Sequence, residues 1–222
     1  MEPSQRRVTD ARTLRAMAHP LRIAIVEQLT VNGPMTATEV GDRLEESPAN
    51  CSWHLRKLAE YGFVEEAEGG TGRQRPWQMT HIGMSWGDEE DGALGVDMQL
   101  AGRALTEVLV NRELERLLEA QVRAPEEQPE WRKASNSTQS MVWLTSDELE
   151  AANNAVREVL MKHFDRHQDP AMRPPGSRLC ALMSWGIPTY GLADETPGGD
   201  GASSDTASGD SASGDGADGK ES

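Results

Sequence analysis

A chain of 222 residues with 36% hydrophobic content and a formal net charge of -15 has room for one or two small domains. No apolar run approaches the roughly 18 residues that cross a bilayer, Met1 to Arg7 is polar and lacks the apolar core of a secretion signal, and Cys51 and Cys180 are too few and too far apart for a disulfide framework or a cysteine-only metal site. The expectation is a cytoplasmic protein with no membrane partner and no cofactor, and its acidity is unevenly spread: residues 1–87 hold 10 Lys/Arg against 11 Asp/Glu, whereas residues 194–222 hold 1 against 8, so net charge does not veto a basic surface early in the chain.

Residues 1–8 read as a flexible N-terminus, and 9–90 are dense with helix punctuation. Thr9 or Asp10 suits the cap of a first helix carrying Leu14 and Met17. His19-Pro20 ends it and opens the next, because proline fits the first helical position. Leu21, Ala24, Ile25, Gln28 and Leu29 follow at helical spacing until Asn32-Gly33-Pro34. Thr36-Ala37-Thr38-Glu39 is a capping box before Val40 and Leu44. After Glu45-Glu46, Ser47-Pro48 caps a helix whose Cys51, Leu55 and Leu58 face inward and which Gly62 ends. Phe63 to Ala67 and Arg75 to Thr80 predict a hairpin around the Gly69-Gly70-Thr71-Gly72 tip.

Residues 94–123 predict one long helix with an apolar stripe of Met98, Ala101, Leu105, Val108, Leu109 and Leu117. That stripe is longer than one small domain needs to bury, and it predicts a dimerisation helix. Met141 to Leu144 and Leu179 to Trp185 read as short strands. Between them the capping box Thr145-Ser146-Asp147-Glu148 opens a helix with Leu149, Ala152, Val156, Val159, Leu160 and Phe164 at helical spacing. Region 91–193 is expected to carry dimerisation, and its part 125–193 is rich in large side chains for its length: Trp131, Trp143, Trp185, Tyr190, Met141, Met161, Met172 and Met183. Two readings stand for it: ordinary core and dimer packing, or an apolar pocket for a small effector. From residue 194 the Gly/Ser/Ala/Asp composition has almost nothing to bury and predicts a disordered acidic tail. Such a tail either solubilises the chain or mimics DNA. The fold class expected is mainly α with a small β-wing: a winged helix-turn-helix domain at 9–90, a long dimerisation helix and a small α/β C-terminal region.

Two short helices joined by a tight turn and followed by a glycine-tipped hairpin suit double-stranded DNA, with the second helix in the major groove. On that helix the polar, outward residues are Asn50, Ser52, Trp53, Arg56 and Lys57, with His54 near the boundary. Asparagine reads adenine and arginine reads guanine by two-point hydrogen bonds. Thr38 and Ser47 suit phosphates, and Arg73, Gln74 and Arg75 lie beside the wing tip. The alternative is a winged-helix protein-interaction module that makes no specific DNA contact.

The run from Leu14 to Ile23, then Thr36 to Val40, Ser47 to Leu58, and Tyr61-Gly62-Phe63-Val64 resembles the arsenic-repressor-like (ArsR-type) winged-helix regulators over about residues 9–90. The resemblance implies a homodimer with one recognition helix per half-site. It does not extend to metal sensing, since the helix at 36–44 has no cysteine and 94–123 has no histidine. His163 and His167 sit four apart but lack an evident third ligand. No phosphate-binding loop, nucleophile elbow or HExxH stands in the sequence, which argues against an enzyme.

Overall fold

The computed structural model describes residues 5–68, 75–81, 83–87 and 95–191. Asp10 starts α1 (Ala11–Met17) by accepting the Thr13 N–H at 2.8 Å. The His19 ring does the same for the Leu21 N–H, at 3.2 Å, and Pro20 occupies the first turn of α2 (Pro20–Asn32). Thr36 and Glu39 form the expected reciprocal box at the start of α3 (Ala37–Leu44). Ser47 caps α4 (Pro48–Glu60) through the Asn50 N–H at 3.2 Å. Each cap satisfies an amide that a helix start leaves without a partner.

The turn between α3 and α4 depends on Gly41 and Glu45. Glu45 adopts the left-handed conformation (φ 55°), and the chain then doubles back so closely that a β-carbon on Gly41 would lie 2.6 Å from the Glu46 carbonyl oxygen. The hairpin pairs β2 (Val64–Glu66) with β3 (Trp77–Met79) in antiparallel register, with Val64 opposite Met79 and Glu66 opposite Trp77. Met35 and Trp77 exchange both backbone hydrogen bonds, which ties the wing to the entry of α3. Leu14, Ile25, Val40, Cys51, Leu55, Leu58 and Val64 are fully buried together beneath α4, so Cys51 is a core residue as expected.

The N-terminus departs from the expected flexible segment. Residues Gln5–Arg7 form β1, which pairs in parallel with β4 (Gly83–Ser85). Two side chains explain the anchoring: Arg6 Nη1 donates to the Tyr61 carbonyl at 2.6 Å and lies over the Phe63 ring, and Val8 is buried in the core.

The long helix α5 (Val96–Arg123) divides its apolar stripe in two. Met98, Ala101 and Leu105 are buried against the core, with α1 the main neighbour. Leu105, 0% exposed, is therefore a core residue of the winged-helix region and not part of a dimer face. Further along, Arg112 and Arg116 both grip Glu27 of α2, the first at 2.8 Å. From Leu114, between the arms of that clamp, onward the helix leaves Leu114, Leu117, Leu118 and Val122 exposed. No helix among the described residues is long and apolar enough to cross a membrane.

After a 3-10 turn (Ala124–Glu126) come α6 (Pro129–Ala134), α7 (Ser146–Met161), α8 (Asp165–Gln168) and a second 3-10 turn (Pro170–Met172). Thr145 and Glu148 form the expected capping box. The two strands expected at 141–144 and 179–185 are absent. These residues lie outside any helix or strand and find no backbone partner among the described residues, so the described part of the C-terminal region holds helices without a sheet. Backbone contacts divide the chain after Gly186. Of the second unit, residues 187–191 are described and are exposed. The tail expected from residue 194 lies outside the described residues.

Candidate nucleic-acid interface

The N-termini of α3 and α4 and the base of the wing enclose an open cleft of about 540 Å³. Four residues singled out from the sequence meet there: Thr38 from α3, Ser52 and Arg56 from α4, and Arg75 from the wing. Pro48 and Ala49 supply a small, smooth wall at the start of α4, and Trp77 forms the side toward the hairpin. Helix α4 reaches this position because its opposite face, Cys51, Leu55 and Leu58, is fully buried.

The polar groups differ in how committed they are. Arg56 is exposed and has no hydrogen-bond or ion-pair partner among the described residues. Arg75 donates to Glu66 across the hairpin at 2.8 Å, and Lys57 reaches along its own helix to Glu60 at 2.9 Å, which raises its pKa. The Asn50 side-chain amide donates to Glu46 at 2.9 Å. Reading adenine at two points would require that bond to be released, at a cost of about 1 kcal/mol for an exposed pair. Ser47 spends a lone pair on its cap but keeps a hydroxyl proton to donate. Trp53 projects from the same helix and is 53% exposed. Arg73 and Gln74 lie outside the described residues.

His54 is the correction. Only 5% exposed, it faces the interior, where its Nδ1 accepts from Arg22 Nε at 3.3 Å. Arg22 itself is buried and also donates to the Ala16 carbonyl. The His19 ring lies 4.6 Å from that of His54, and the exposed Trp53 ring meets it edge-on at 4.7 Å. Both imidazoles accept hydrogen bonds at Nδ1, which fits neutral rings protonated at Nε2. Burial pushes both pKa values down, and the neighbouring Arg22 charge adds to the effect. Position 54 follows Trp53 by one residue, and the 100° step between neighbours in a helix carries it across to the buried side.

Sequence reasoning missed Glu66 and Glu46, the carboxylates that hold Arg75 and Asn50. The Glu46–Asn50 spacing of four was a readable signal, whereas Glu66 and Arg75 become neighbours only once the hairpin register is known. Of the large side chains singled out in this region, Met141, Trp143, Met172, Met183, Trp185 and Tyr190 are exposed and Met161 is partly buried. Trp131 is half-buried against Arg178.

Residues 17–67 match a family model described as a helix-turn-helix domain, so the chain contains that domain. No curated protein matches the chain. Among solved structures, a MarR family regulator from Neisseria meningitidis is similar at 17% identity, covering 66% of this chain and 78% of that one with a TM-score of 0.30. At that TM-score the likeness says nothing about function.

Proposed function

We propose that this chain is a sequence-specific DNA-binding transcription regulator that acts as a homodimer, with α4 of each copy in the major groove of one half-site. The single observation that carries the reading is Arg56: an exposed guanidinium without a partner among the described residues, in one cleft with Thr38, Ser52 and Arg75. An arginine so placed on a recognition helix suits a two-point contact with guanine. Thr38, Ser47 and Ser52 suit phosphate contacts, and the wing, with Arg73, Gln74 and Arg75, suits the adjacent backbone or minor groove. The matched helix-turn-helix domain and the arsenic-repressor-like sequence pattern support the same reading. The exposed half of α5, with Leu114, Leu117, Leu118 and Val122, supplies an apolar face for the second copy.

Selection from a random duplex library at stated salt tests it. The expected result is an inverted repeat with half-sites about one helical turn apart, mirroring the dimer axis. Failure to enrich any sequence over bulk DNA would favour the protein-interaction alternative.

A further inference from the structure

Residues 178–186 form a strap outside any helix or strand that is pinned at both ends and open in the middle. At its start Arg178 pairs with Glu127 at 3.0 Å and lies 4.8 Å from the centre of the Trp131 ring. At its end the Gly186 carbonyl accepts from the Asn153 amide of α7 at 3.2 Å, where a β-carbon would push that amide from its place. Between the pins, residues 179–185 carry no charged side chain, all are exposed, and none makes a backbone–backbone hydrogen bond among the described residues. Trp185 is 65% exposed. A second segment outside any helix or strand, 136–144, is also uncharged and unpaired, and its Trp143 is 89% exposed. Helix α7 buries none of its residues although Val156 and Val159 share its apolar side.

We propose that this strap, together with Met141–Leu144 and the apolar side of α7, seats a second copy of the same chain in an isologous contact. The inference rests on the homodimeric reading above and deepens it by assigning a contact surface beyond α5. Area is the first argument. Ten large apolar side chains of these three segments are exposed, summing to on the order of 1,000 Å², comparable to the roughly 800 Å² each partner buries in a standard interface. Charge is the second. Copies of a chain with net charge -15 repel, so they associate best through stretches without charge, and 136–144 and 179–185 are such stretches. Symmetry is the third: a stretch of unpaired backbone meeting its own copy across a two-fold axis gives both stretches a partner at once. The surface is also continuous along the chain with the exposed end of α5, which leads directly to Glu127 and Trp131, the strap's first pin.

Sedimentation equilibrium of the full chain, the Leu182→Glu variant and the Trp185→Glu variant tests the assignment, with far-UV circular dichroism as the control for folding. Both positions are exposed in the single chain, so helicity should be retained while the dimer dissociation constant rises at least tenfold. Cys180 is exposed within the strap and Cys51 is buried. Thiol labelling should therefore slow as protein concentration rises through that constant. Unchanged dissociation constants with labelling independent of concentration would overturn the strap's role and leave an α5 dimer standing. A wild-type monomer would overturn both readings. Open-ended oligomers would overturn the isologous arrangement, and loss of helicity in both variants would show that the strap packs within its own chain.

Discussion

Thr36 and Thr145 begin their helices in the same way, each trading hydrogen bonds with a glutamate three residues on. Beyond the caps the two regions differ. Helix α3 buries Val40 and Gly41 against α4, within a core drawn from α1, α2, α4, the hairpin and the first half of α5. Helix α7, twice as long, buries nothing. Local chemistry therefore decides that a helix forms and where it starts, but not whether its apolar side is covered. In the winged-helix region the covering surface comes from the same chain. In residues 136–186 the chain presents an apolar helix side and two irregular segments whose large apolar side chains stay exposed.

The sharpest way to break this comparison lies along α5, which belongs to both regions. Leu105→Glu places a carboxylate in a closed core and should cost about 4 kcal/mol or more, enough to unfold a marginal domain. Leu117→Glu, on the exposed half, should change the stability of the single chain by less than about 0.5 kcal/mol while weakening self-association. Denaturant melts below the dimer dissociation constant measure both, and similar losses would erase the distinction between the halves.

The paired rings of His54, on α4, and His19 give a pH test of the winged-helix region. Folding holds His54 and His19 below the ordinary value of 6.5. Below that value the unfolded chain takes up protons that the folded chain refuses, so stability is lost as pH falls from about 6.5 toward the depressed folded values. His54→Gln keeps an acceptor for Arg22 and should flatten this part of the profile. Thermal melts from pH 7.5 to 5 check it, and an unaltered slope would remove His54 as the cause.

The smallest effect is expected at the wing. Arg75 is already paired with Glu66, so Arg75→Ala should weaken binding to all duplexes alike and by less than about tenfold. It should flatten the salt dependence by no more than about 0.9 log units, the value for one phosphate contact. A sequence-selective loss in a salt titration would instead make Arg75 a base reader.

Most of the winged-helix region is legible in the sequence, because its signals act over three or four residues: caps at Asp10, Thr36 and Ser47, Pro20 in the first turn of α2, and the spacing of Cys51, Leu55 and Leu58. Arg56 and Trp53 are legible as outward residues for the same reason. His54 was misplaced because it sits at the edge of the stripe, where contacts with Arg22 and His19, far away in sequence, decide its burial. The pairing of β1 with β4 links residues nearly eighty apart, and no local signal in Gln5–Arg7 announces it. The missing strands at 141–144 and 179–185 have strand-like composition, but a strand also needs a hydrogen-bonding neighbour, and the single chain gives them none among the described residues.

In the proposed complex α4 reads base edges through Arg56. Equilibrium binding of the wild-type chain and of Arg56→Ala should be measured on the selected duplex and on a scrambled one, at one salt concentration. The variant should lose about 1–3 kcal/mol on the selected duplex and far less on the scrambled one, so that the specificity ratio falls about ten- to a hundredfold. An equal loss on both duplexes, or no loss on either, would contradict this role of Arg56.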